Sequence, residues 1–252
     1  MTGRSLLTGS LVLAALCCAL DAQVSAPSGT VLDGVFSAEQ AQRGRATYMS
    51  ICGECHGASL EGVSAPALRG DRFIERWRED TLDSVFGFIR ERMPPRRPAT
   101  DPIPQSDYVD VLAFMLEAND YGAGATELTA EALTDVMLVG AEGPRPVPDG
   151  SLVLSVGCLT QTPGGSWLLI QATEPRRTRV STATTAVEMA RSRAARAGTL
   201  SFRLTSFGAI PDFAPTEHID QRVLAKGYLV RQPNAERIAV SAVEVLDPTC
   251  GP

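Results

Sequence analysis

Apolar residues change their spacing once along this chain of 252 residues. From Val31 to Tyr121 they recur at helical intervals. Tyr108, Val111, Leu112, Met115 and Leu116 stand at i, i+3, i+4, i+7 and i+8, one face of a helix that starts near Ser106. Ser37 with Gln40 three residues later reads as a capping box before a helix through Ala41, Gly44, Ala46 and Tyr48. Gly44 allows a close helix crossing, with Tyr48 and Phe114 packing beside it. A stretch containing Gly, Pro and Glu then runs from 122 to 150 as a linker. From Ser151 the period becomes two: Leu152, Leu154 and Val156 alternate with other residues, as do Leu200, Phe202 and Leu204. Pro163-Gly164-Gly165 turns the chain into a strand from Trp167 to Gln171. Two further strands, Val223 to Val230 and Ile238 to Leu246, flank Gln232-Pro233-Asn234.

The expected fold class is multi-domain: an all-α bundle over 31–121, a linker over 122–150, and a small all-β domain over 151–252. Five strands suggest a closed or partly open barrel of the OB-like kind. The stretch Thr182 to Ala197 suits a helix or a loop equally. Glu174, Arg176 and Arg177 read as a solvated loop, and His218 as a surface or loop histidine rather than a ligand.

Residues 1–22 have one basic residue, Arg4, then an apolar run from Leu6 to Leu20 and a small-residue end at Ala22, the pattern of a secretory signal peptide. Cys17 and Cys18 open the alternative of a lipid anchor, which the bulky Leu16 before Cys17 disfavours. The remainder has no transmembrane candidate, so an exported, periplasmic chain is expected. Removing 1–22 takes Arg4 and Asp21 together, so the net charge of −6 persists and argues against nucleic acid as a partner. Lys226 is the single lysine among the basic residues, and reads as compositional bias.

Cys52-Gly53-Glu54-Cys55-His56 is Cys-x-x-Cys-His, the attachment sequence for a c-type haem. In a helical turn, i, i+3 and i+4 share a face, so two thiols can bond the porphyrin while the imidazole reaches iron. Zinc would need two more ligands, and Cys158, Cys250 and His218 are distant and not spaced as a second pair. One haem c per chain is expected. In an oxidising compartment, the remaining Cys158 and Cys250 are expected to bond to each other.

For the second axial ligand of the iron, His218 lies in the far domain and methionine is the natural alternative. Met137 and Met189 fall outside the bundle. Met49 precedes the motif on its helix and Met115 belongs to an apolar stripe, where methionine usually packs. Met93 lies in a polar segment before Pro94 and Pro95, which stop a helix and stiffen the loop, and it is the favoured ligand. Arg90, Arg92, Arg96 and Arg97 surround it against one Glu91, a basic rim that would steer an acidic partner.

From Phe36 to Asn119 the chain resembles monohaem class I cytochromes c, and more closely the bacterial cytochromes associated with or fused to quinoprotein (PQQ) alcohol dehydrogenases. The resemblance rests on Gly44-x-x-x-Tyr48, the Cys52–His56 motif with Gly57, Ala65-Pro66-Ala67-Leu68, Phe73, Trp77, Met93-Pro94, and Tyr108 with Ala113-Phe114-Met115-Leu116. It implies that the Pro66 carbonyl accepts a hydrogen bond from the axial imidazole and that Trp77 lies against the haem. Phe114 stands where such cytochromes often carry Tyr. With His56 and Met93 both on iron, no position is open to substrate, so the expectation is an electron carrier rather than an enzyme. Its partners would be redox proteins, such as a quinoprotein dehydrogenase or a terminal oxidase. A haem peroxidase or reductase, or a haem-based sensor, would instead require Met93 to leave.

Overall fold

The computed structural model describes residues 29–95, 102–232 and 235–251. The expected signal peptide, Arg96 and Arg97 lie outside them. Five helices build the first domain: α1 Ala38–Ile51, α2 Gly53–His56, α3 Asp71–Trp77, α4 Leu82–Arg92 and α5 Gln105–Glu117. Ser37 caps α1 by accepting the Gln40 N–H at 3.1 Å. Gln40 does not close the expected box. Its carboxamide bonds both backbone groups of Leu128 at 2.8 Å, because a buried amide needs partners for donor and acceptor alike.

Gly44 sets the crossing of α1 and α5. A Cβ there would stand 1.8 Å from the Asp110 carbonyl oxygen, so only hydrogen fits. The crossing brings the Tyr48 and Phe114 rings to 5.2 Å. On its rim, Arg43 pairs with Asp110 at 2.9 Å and Glu127 at 2.8 Å.

Segment 122–150 is more than the expected linker. It carries β3 Val136–Leu138, the middle strand of a small sheet with β1 Gly29–Thr30 and β2 Asp80–Thr81. Leu128, Leu133, Leu138 and Val139 are buried in the helical core. These apolar side chains gain more by burial than a solvated connector would allow.

The second domain contains β4 Leu152–Gln161, β5 Trp167–Ala172, β6 Arg176–Arg177, α6 Ala186–Ala194, β7 Leu200–Thr205, β8 Arg222–Gln232 and β9 Ala235–Asp247. The sheet has six strands where five were expected, in the order β5-β7-β9-β8-β4-β6. The added strand is β6, whose Arg176 and Arg177 pair with β4 instead of forming a solvated loop. Since β5 also pairs with β4, the five longer strands are joined in a ring, with β7 and β9 parallel. Val153, Leu159, Leu169, Phe202 and Ile238 fill the interior.

Lys226, read as compositional bias, is fully buried in this domain. Its Nζ donates to the Ala183 carbonyl at 2.6 Å, Glu188 at 2.8 Å, Thr178 at 3.2 Å and the Val180 carbonyl at 3.3 Å. Burial of a charge is tolerated here because it is paired and hydrogen-bonded. Glu188 also closes a capping box with Thr185, so one lysine pins the start of α6 to the sheet. Burial alone would raise the Glu188 pKa. Hydrogen bonds from Lys226, Thr178 and the Thr185 N–H outweigh it and hold the carboxyl below its ordinary value.

Cys158 is disulfide-bonded to Cys250 with Cα atoms 5.5 Å apart. His218 ends a short 3-10 helix, its ring stacked 4.8 Å from that of Phe213 and its Nδ1 2.8 Å from Gln221. No helix among the described residues is long and apolar enough to cross a membrane.

Candidate functional site

Beyond α1 the chain turns at once into α2, so Cys52, Cys55 and His56 follow one another around a single helical turn. The Cys55 carbonyl accepts three consecutive N–H groups, from Val63 at 3.1 Å, Ser64 at 3.1 Å and Ala65 at 3.0 Å. The Gly62 N–H bonds the His56 carbonyl at 2.7 Å. These bonds fold the 57–68 loop back over the motif. Gly57 opens that loop at φ +85°, where a side chain would be strained and would strike Glu61. Its carbonyl receives the Tyr48 hydroxyl at 2.7 Å.

The loop delivers Pro66 to the imidazole. His56 Nδ1 lies 2.7 Å from the Pro66 carbonyl oxygen. A carbonyl can only accept, so Nδ1 carries the proton and Nε2 keeps its lone pair for a metal. His56 is buried, Cys52 half-buried and Cys55 exposed. Burial, and then the neighbouring Cys55 sulfur, push the Cys52 thiol up to about 11. That setting is unlike the electropositive one that makes a redox-active thiolate.

These residues open onto a largely apolar cavity of about 600 Å³. Cys52, Cys55, His56, Pro66, Trp77 and Met93, the residues singled out from the sequence, all line it. Phe73, Val85 and Ile89 supply the walls between them. Met93 sits just past α4, its N–H bonded to the Ile89 carbonyl at 3.0 Å. Met115 also borders the cavity but is packed into the helical core, and Met49 is exposed. The donor set fits a covalently bound haem: two free thiols and an oriented imidazole on one side of an apolar slot, with a thioether in its wall. Among the described residues, no group of three His, Cys, Asp or Glu side chains could hold a metal ion instead.

Several supporting contacts were not apparent in the sequence. Tyr108, read as one residue of an apolar stripe, donates its hydroxyl to the Met93 carbonyl at 2.8 Å. Trp77 is covered from the second domain: the Arg179 guanidinium lies 4.3 Å from the indole centroid and bonds Asp80 at 2.7 Å. Arg177 reaches the carbonyls that end α3, those of Arg76 at 2.8 Å and Arg78 at 3.0 Å. These are the last-turn acceptors of a helix that a cation satisfies well. Both arginines are separated from α3 by about a hundred residues, and no local pattern announces such a contact. The basic rim is partly visible, with Arg90 over Phe86 and Arg92 over Phe88.

A Cys-x-x-Cys-His turn backed by a proline carbonyl and opening on an apolar slot defines the first domain as that of a c-type cytochrome. In agreement, residues 39–115 match the family model described as Cytochrome C oxidase, cbb3-type, subunit III. No curated protein and no solved structure matches the chain. The matched region is an electron-transfer haem domain, and the sheet-rich domain that follows lies beyond the match.

Proposed function

We propose that the protein is a periplasmic carrier of single electrons, with one haem c attached through Cys52 and Cys55 and ligated by His56 and Met93. When bound, the haem supplies a one-electron ferric/ferrous couple. The chain supplies everything that governs it. Pro66 fixes the tautomer of His56, Ile89 and Tyr108 hold the Met93 backbone, and apolar walls exclude water. Histidine with methionine raises the reduction potential relative to stronger donor pairs. Were His56 and Met93 both to hold the iron, they would leave no place for a substrate to bond it, which favours a carrier over an enzyme or a ligand sensor.

The observation that carries this reading is the 2.7 Å contact of His56 Nδ1 with Pro66, across the cavity that Met93 also lines. The basic residues beside Met93 suit an acidic redox partner, for which a quinoprotein dehydrogenase or a respiratory oxidase is our reading. We read the closed ring of five strands as OB-like, with β6 added at its side.

The mature chain, co-expressed with a haem-ligation apparatus, should carry one haem that survives denaturation. Its ferric form should show the near-red band of methionine-to-iron bonding, and its ferrous form should ignore carbon monoxide. Met93→Ala should abolish the band and admit carbon monoxide. Persistence of the band in that variant would transfer the ligand role to Met115.

A further inference from the structure

The two domains enclose a second cavity, of about 410 Å³, behind the Trp77 wall of the haem slot. Six arginines and four carboxylates line it. Four are held in ion pairs or hydrogen bonds, Arg179 with Asp80, Glu188 with Lys226, and Arg177 with the carbonyls of α3, while Arg76 and Arg92 lie over the Trp77 and Phe88 rings. Arg176 and Arg191 are not equally satisfied. Unlike Arg76 and Arg92, which lie over aromatic rings, the Arg176 guanidinium has no ring contact, and it has no hydrogen-bond or ion-pair partner among the described residues. Arg191 has a side chain only 7% exposed; it bonds the Thr134 carbonyl and lies 3.8 Å from Asp135, yet its buried Nε has no partner.

We propose that this cleft is a binding site for a small oxyanion of the phosphate class, held by Arg176 and Arg191. Two guanidinium forks facing one cavity match the oxygens of a tetrahedral anion. The excess of arginine over carboxylate favours a dianion, and the volume falls within the range of small-molecule sites. Burial, and then the nearby Arg191 charge, pull the Arg176 pKa below its ordinary value, a cost that a bound anion would remove. Two lining carboxylates, Asp83 and Glu91, have no ion pair among the described residues and oppose an anion; Asp83 is itself pushed up by burial and so opposes it less than a solvated carboxylate would.

The cavity shares Arg76, Trp77 and Phe88 with the haem slot. A negative charge placed there stabilises ferric over ferrous iron, so binding and reduction are linked reciprocally. This coupling rests on haem occupying the slot; the anion site does not.

Calorimetric titration of the haem-loaded chain with inorganic phosphate, at ionic strength held constant with chloride, tests the site. The expected result is saturable one-to-one binding, weakened about tenfold or more in Arg176→Gln and less in Arg176→Lys. Arg176 is chosen because Arg191 also ties the domains together, and an unchanged haem spectrum certifies the fold of each variant. Absence of binding, or equal binding in Arg176→Gln, would overturn the site. In parallel, the midpoint potential should fall with phosphate along the same saturation curve; binding without that fall would refute the coupling while leaving the anion site standing.

Discussion

The helical and the β domain solve the problem of a core in opposite ways. The helices surround a slot of about 600 Å³ that their own side chains leave for a covalent group. The sheet-rich domain fills its interior with Val153, Phe202, Ile238 and their neighbours, and adds the ion pair of buried Lys226 with Glu188 and a disulfide. The helical core is thus built around a cavity, whereas the β domain packs its interior with its own side chains. The candidate haem-binding residues cluster in one domain, while the other contributes arginines to its neighbour's wall.

The sharpest way to break that contrast is to withhold the cofactor. Cys52→Ser with Cys55→Ser should leave the chain without covalent haem and the helical domain without cooperative unfolding, while the barrel melts as before. Near-ultraviolet circular dichroism can separate the two, since Trp77 and Trp167 report one domain each.

Next in size is Lys226→Met, which should destabilise the barrel by about 3 kcal/mol by stranding Glu188 without its cation. The pH dependence has a definite sign. Glu188 has a folded pKa below its unfolded one, so its contribution is present above the unfolded value and is lost as pH falls through the folded value. Urea unfolding of the β domain should thus show stability declining from pH 5 towards 3, to an extent of about one carboxylate. In Lys226→Met, burial without the lysine should raise the folded pKa and flatten or reverse that slope.

Gly44→Ala should cost the helical domain about 2 kcal/mol through forced separation of α1 and α5, read from its chemical unfolding. Smallest is Tyr108→Phe, which removes the bond to the Met93 carbonyl and should cost about 1 kcal/mol. Its distinguishing sign is earlier loss of the near-red band on heating, ahead of global unfolding. Simultaneous loss would mean that Tyr108 only packs.

Much of the haem slot was legible because its chemistry is local. Three residues on one helical turn declare the attachment, and Pro66 follows within a loop short enough for its carbonyl to be placed by resemblance. Strands β4 and β7 were likewise announced by alternation, β5 by the Pro163-Gly164-Gly165 turn before it, and β8 and β9 as β segments flanking Gln232-Pro233-Asn234, signals that need only near neighbours. Arg176 and Arg177 misled because a two-residue strand has no period to detect. Lys226 misled because a lone lysine in an apolar strand carries no sign of the Glu188 that awaits it.

The order of residues alone determined the Cys-x-x-Cys-His motif with its candidate haem-binding residues, and the division into a helical and a sheet-rich half. Tertiary structure alone decided that segment 122–150 completes the helical core, that Arg177 and Arg179 clasp α3 beside Trp77, and that Arg176 and Arg191 share one cleft. The reason is range: periodicity and motif spacing record interactions between residues a few positions apart. A guanidinium that meets a carbonyl a hundred positions away is placed by the packing of whole domains.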